Sequence, residues 1–247
     1  MMKFMCIVTL LFLLPLSGWS GTFLETFDGG DLKAWQELIE GNVQGNKGPG
    51  SWKVVDGELQ AVNREAFVRL LTTGDDTWKD YTLEFGVKPL KKHGRGGISI
   101  AVRIQGTWVV YCSIHDIRVI FGDKPPIQEP RVDCKAGNLH DGIFASFHST
   151  PHALLRLNEW AHLKLSVEGN TFTFWINGEQ IINRVAPRLR EIEVFPNFQT
   201  GGVGFGLANY TARFDNITVT GDSIPDRGGF AVTPHGKLTT TWGRLKQ

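Results

Sequence analysis

The chain has 247 residues, with 26 lysines and arginines against 25 aspartates and glutamates. A near-neutral balance without a run of like charge offers no electrostatic footprint for nucleic acid or an anionic membrane, so neutral partners are expected.

Reading from the N-terminus, Lys3 precedes an apolar run over residues 6–14, and a polar break follows over residues 15–20. That pattern predicts a secretory signal peptide over residues 1–20 and a secreted or periplasmic protein whose mature form starts near Gly21. The run is too short for a bilayer span, which needs about 20 apolar residues, and no second run of that length follows, so no membrane insertion is expected. The remaining length suits one large β domain.

Period-two alternation then recurs along the chain. Tyr81, Leu83, Phe85 and Val87 alternate with polar or small residues, as do Ile98, Ile100, Val102 and Ile104, and then Trp108, Val110, Cys112 and Ile114. The same spacing returns at Leu163, Leu165 and Val167, at Phe172, Phe174 and Ile176, and at Val203, Phe205 and Leu207. One apolar face per strand is what two packed antiparallel sheets require. Asp56-Gly57, Glu168-Gly169-Asn170 and Asn177-Gly178 read as tight turns between strands.

Residues 122–151 interrupt this rhythm with Pro125, Pro126, Pro130 and Pro151 and read as a long insertion. Near Asp215-Asn216 the alternation changes phase, which predicts a β-bulge. Residues 21–220 are thus expected to form the sandwich and residues 221–247 a C-terminal tail. Cys112 and Cys134 remain after signal removal, either as a disulfide contributing on the order of 3 kcal/mol or as buried thiols.

The alternation also yields a candidate site. With the apolar residues of 98–104 and 108–115 facing the core, Arg103, Tyr111 and His115 project from the opposite sheet face as cross-strand neighbours. With Trp175 and Asp116 near them, such residues suit a sugar: aromatic rings stack on its apolar side and polar groups bond its hydroxyls. Among the carboxylates Glu84 is the best placed for acid-base chemistry, because it lies on the polar phase of its strand. His115, His140 and His148 are the candidate metal set, and Glu191 and Glu193 form a two-acid stretch that lacks the further carboxylate of a glycosidase strand.

Several phrases resemble the concanavalin A-like superfamily in order. These are residues 23–29, Trp78-Lys79-Asp80-Tyr81, residues 158–165 with Phe174-Trp175-Ile176-Asn177-Gly178, and residues 201–206 with Arg213-Phe214-Asp215-Asn216-Ile217. Within it the chain is most similar to laminin G-like modules and to bacterial 3-keto-disaccharide hydrolase domains, through residues 96–103 followed by 111–116. The resemblance implies an all-β, two-sheet antiparallel jelly-roll β-sandwich. It also implies a structural calcium ion, for which Asp28 and Asp215 near the first and last strands are the candidate ligands. The expected function is a secreted carbohydrate-recognising module for a glycan or disaccharide. The alternatives are an enzyme acting on ordinary or 3-keto-disaccharides with His115 or Glu84 as acid or base, and a structural or adhesive envelope domain.

Overall fold

The structure is a computed structural model that describes residues 21–41, 51–117, 129–187 and 195–225. Thirteen strands and no helix are found among the described residues. In chain order they are β1 (Gly21–Glu25), β2 (Gln36–Ile39), β3 (Ser51–Val55), β4 (Glu58–Asn63), β5 (Arg69–Thr73), β6 (Tyr81–Gln105) and β7 (Trp108–His115). The remainder are β8 (Arg131–Asn138), β9 (Ile143–Pro151), β10 (Ala161–Glu168), β11 (Thr171–Ile176), β12 (Glu179–Val185) and β13 (Gly202–Gly221).

Two long strands organise the jelly-roll sandwich. β6 and β13 pair antiparallel along nearly their whole lengths, and each contributes one half to each layer. The first layer runs β12–β11–β10–β6–β13–β1 and uses the start of β6 with the end of β13. The second runs β9–β8–β7–β6–β13–β5–β2 and uses the other two halves. β4, with β3 beside it, pairs with the middle of β13.

The change of layer is written in glycines and bulges. At Gly96 an added Cβ would lie 1.9 Å from the Ala208 carbonyl oxygen, so only glycine lets the two long strands approach there. Opposite it the register slips between Ala208 and Tyr210, where Asn209 takes a positive φ and donates its side-chain amide to Arg95 O. A second slip, between Asp215 and Thr218 with Asn216 at positive φ, is the bulge expected from the phase change. The Asp56-Gly57 and Asn177-Gly178 turns each place both residues at positive φ, as two-residue hairpins of right-twisted strands demand.

The inward phases meet in one aromatic-rich core. Phe85 from the first layer lies 5.3 Å from Phe205 of the second, and Phe172 of β11 lies 5.7 Å from Phe147 of β9. Each fully buried ring or aliphatic side chain contributes roughly 1.5–3 kcal/mol. Cys112 and Cys134 stand directly opposite on β7 and β8 and are joined by a disulfide on the core side, with a Cα–Cα separation of 4.1 Å.

The structure differs from expectation in two places. Within the stretch read as an insertion, residues 131–151 form β8 and β9, which extend the second layer beyond β7. The prolines that suggested a break lie mainly between residues 125 and 130, and residues 118–128 are outside the described part. Residues 81–88 and 98–104, read as separate strands, belong to one bent strand. The predicted signal peptide and most of the predicted tail, residues 226–247, also lie outside it, while Ile224 just before is buried.

Candidate functional site

The outer face of the second layer has an unusual cross-section. Along the middle of its two central strands it carries small residues, Gly97, Ser99 and Ala101 on β6 and Gly204, Gly206 and Ala208 on β13, with Ile104 joining this side beyond the β6 bulge. Taller groups flank them, Leu70 and Leu38 on β5 and β2 to one side, and Tyr111, His115, Arg131, Asp133 and Lys135 on β7 and β8 to the other. One register row reads Leu38, Leu70, Gly206, Ser99, Ser113, Asp133, Ser149 across the layer. The result is a trough with an apolar wall and a polar wall.

The trough is covered: Ser99, Ala101 and Ala208 on its floor have no exposed surface. The chain leaving β2 turns over the face, where Glu40 bonds the Val68 carbonyl through its N–H and Gly41 donates to Leu139 O. Beneath it Tyr111, Val109, Ala101, Ile104 and Leu139 form a second apolar cluster, with the Phe144 ring 5.5 Å from Tyr111. Burial, and then the nearby Glu40 and Asp133 carboxylates, push the Tyr111 phenol well above its usual range.

The polar wall is a hydrogen-bonded network in which, among the described residues, Arg131 Nη1 alone of the Arg131, His115, Asp133 and Ser149 side-chain atoms is buried without a hydrogen-bond partner. His115 takes an N–H bond from Ile117 at Nδ1, so its Nε2 carries the proton donated to Asp133 Oδ2 at 3.0 Å. Asp133 Oδ1 accepts from Ser149 Oγ and from Arg131 Nε at 3.2 Å. His115 and Asp133 are 2% and 1% exposed. Burial alone would raise the Asp133 carboxyl, but the bonds from His115 and Ser149, with the nearby Lys135 charge, outweigh it and hold the group at about 2. Ser99 and Ser113 bond each other on the trough floor.

Arg103 is not part of this face. It sits at the bulge where the β6–β7 register shifts, takes a φ of 55°, and turns its fully buried guanidinium to Asp80 Oδ1 and Gly169 O at the end of the first layer. Its backbone N–H donates to the Tyr81 hydroxyl, 2.8 Å away, so Arg103 ties the two layers together at one end. A bulge shifts side-chain phase, and strict alternation therefore misplaces Arg103 and with it Ile104, which joins the outer apolar cluster and not the main core. Tyr111 and His115 do face away from the core, as expected, but they are buried and not exposed.

Glu84 and Trp175 lie elsewhere, on the outer face of the first layer. Glu84, Lys164 and Trp175 stand side by side on β6, β10 and β11, and His162 Nε2 is 3.5 Å from Glu84 Oε2. The Lys164 ammonium sits 5.2 Å from the Trp175 ring centre. Trp160 lies over Gly86, where an added Cβ would touch its ring at 3.4 Å. These side chains are half-buried. The grouping of Trp175 with Tyr111 and His115 is thereby corrected, because the outward phases of the two layers point to opposite sides of the sandwich.

The other candidates hold local structure. Asp116 accepts from Lys92 and from the Gly96 N–H; burial works against its charge, yet these bonds leave its carboxyl lowered. Asp28 accepts from the Thr26 hydroxyl, and Asp215 from Asn216 at the bulge. His140 bonds Asp141 on an exposed turn, well apart in the fold from His115, and His148 opposes Cys134 on β9. Among the described residues no group of three or more histidine, cysteine or acidic side chains is gathered for a metal ion. Glu191 and Glu193 lie outside the described residues.

Sequence reading passed over Arg131, Lys135 and Ser149 and noted Asp133 only as a neighbour of the histidines in the insertion. The signal was present, since Arg131, Asp133 and Lys135 alternate with Val132, Cys134 and Ala136, but the adjoining prolines masked it.

Comparison with known proteins bears on both faces. The sequence profile of the 3-keto-alpha-glucoside-1,2-lyase-like domain matches residues 22–220. No curated protein matches the chain. Among solved structures, carbohydrate binding module CBM66 from Bacillus subtilis is similar at a TM-score of 0.51 and 17% identity, over 75% of this chain and 94% of that one. A Bacillus subtilis protein with a galectin-like fold is similar at 0.56 and 12%, over 81% and 96%. Lectin II from Ulex europaeus gives 0.51 and 12%, over 81% and 97%. At these identities the likeness is one of fold. No helix among the described residues is long and apolar enough to cross a membrane.

Proposed function

Because the chain belongs to the 3-keto-alpha-glucoside-1,2-lyase-like domain family, we propose that it recognises a carbohydrate in the trough of the second layer. The observation that carries this reading is the trough's cross-section: a run of glycine, alanine and serine on the two central strands beside a buried wall of Arg131, Asp133, His115 and Tyr111. A fold that needed only stability would fill such a face with apolar side chains, because buried ions cost several kcal/mol to desolvate. Held in fixed hydrogen bonds, the same groups form a rigid polar wall suited to sugar hydroxyls. The protein is read as exported, and the buried disulfide supports an oxidising compartment.

Recognition fits the geometry better than acid-base cleavage by the residues first singled out. Both nitrogens of His115 are engaged, and both oxygens of Asp133 accept bonds. A carboxylate held near 2 is also a weak base. Glu84 and Asp133 lie in different layers, so they are not a paired-carboxylate site. Family membership keeps cleavage of a 3-keto-α-glucoside as the second reading, with the His115 Nε2–H as general acid once its bond to Asp133 opens. Both are tested by titrating the protein with gluco-disaccharides and their 3-keto forms while assaying sugar release. Binding without release, weakened in Lys135→Ala, is expected. Release abolished in His115→Gln would establish the second reading, and the absence of both binding and release would overturn both.

A further inference from the structure

Six tryptophans lie in the described residues, and four of them serve the main core. Trp35 and Trp78 are buried in it, and Trp52 and Trp108 pack against it. Trp160 and Trp175 belong to neither apolar cluster. Both stand on the outer face of the first layer, Trp175 on the outward phase of β11 and Trp160 laid over the outward side of Gly86 on β6. A large apolar ring on a solvent-facing sheet surface does not stabilise the core it faces away from, and two on one face form a pattern.

Polar groups lie between and around the rings. Lys164 sits against the Trp175 ring, and Glu84 and His162 pair beside it. Beyond Trp160 opens a pocket lined also by His152, Arg156, Glu159 and Asn177. From strand spacing and rise, the Trp175 position and the Gly86 position that Trp160 covers are roughly 12 Å apart. That is longer than one pyranose ring. Flat aromatic faces with donors and acceptors between them match a chain of sugars, whose rings alternate apolar faces with hydroxyl edges.

We infer that the outer face of the first layer, from Trp175 across Glu84, His162 and Lys164 to Trp160, is a second carbohydrate surface that holds a neutral oligosaccharide. It takes its ligand class from the proposed trough reading but not its residues, and the two are separable by experiment. Maltotetraose and cellotetraose would be titrated into the full chain, followed by tryptophan fluorescence and calorimetry, with glucose as the short control.

A saturable response to at least one tetramer and a much weaker one to glucose are expected. Trp160→Ala and Trp175→Ala should each weaken the tetramer roughly 2- to 12-fold, the range of one aromatic contact. Trp175→Phe should restore most of the loss, and unchanged thermal unfolding would show that the fold is intact. Lys135→Ala in the trough should leave tetramer binding on this face unchanged. The inference is overturned by a wild-type protein that binds neither tetramer, or by a Trp160→Ala/Trp175→Ala protein that binds as tightly as wild type. Tetramer binding lost in Lys135→Ala but kept in the double variant would overturn it while upholding the trough.

Discussion

The two layers carry outward faces of the same sequence grammar and opposite physical character. On the first layer Glu84, His162, Lys164 and Trp175 are half-exposed, and their charges are softened by water. On the second, His115, Asp133 and Arg131 occupy the same outward phase but are buried, roofed near β2, and bonded into a network. Period-two alternation tells which way a side chain points and not what lies above it. A change on the second face should therefore act on stability first, and a change on the first face on binding first.

The largest effect is expected at Asp133. Asp133→Ala leaves the Arg131 guanidinium and the His115 Nε2–H without their shared acceptor, and breaking a buried pair in this way costs about 3–5 kcal/mol. Urea unfolding at pH 7 measures it, and a loss under about 1 kcal/mol would place the network in solvent, as on the first face.

Next comes the disulfide beneath the same wall. Cys112 and Cys134 flank Ser113 and Asp133 in sequence and close a 22-residue separation, so reduction or the Cys112→Ala/Cys134→Ala variant should cost on the order of 3 kcal/mol. Unfolding with and without reductant reads this directly, and the Trp160 and Trp175 environment of the first layer should be unchanged in the folded state.

Acid sharpens the contrast further. Asp133 has a folded-state value of about 2, below that of an unfolded aspartate. The stability it contributes is complete above the unfolded value of about 4 and disappears as pH falls through about 2, an effect of order 2–3 kcal/mol. Asp133→Asn should flatten the stability profile in that window, as followed by urea unfolding across pH.

Much of this was legible from residues alone. The strands at residues 98–104 and 108–115, the two-residue hairpins and the bulge at Asn216 follow from local chemistry, because alternation and turn residues act over a few positions. Arg103 was misplaced because a single bulge reverses phase. The trough was hidden because it depends on which glycines line up across β6 and β13, a property of register. Its roof depends on a contact between Gly41 and Leu139, far apart in sequence.

The smallest expected effect is also the most discriminating. His162 is held below the usual histidine range mainly by burial; Glu84 opposes that shift and Lys164 adds to it. A histidine lowered on folding contributes stability above its unfolded value that is lost as pH falls through it, so the folded protein weakens slightly on acidification through this group. Glu84→Gln removes an influence that favours the charged ring, and the His162 titration followed by NMR should move further down. Both side chains are partly solvated, 24% and 36% exposed, and their pair is 3.5 Å apart, so the stability change should stay within about 1 kcal/mol. A larger loss would mean that Glu84 holds the first layer as Asp133 holds the second. An unmoved titration would mean that the Glu84 carboxylate is turned to solvent, which would remove the polar bridge between the two tryptophan rings.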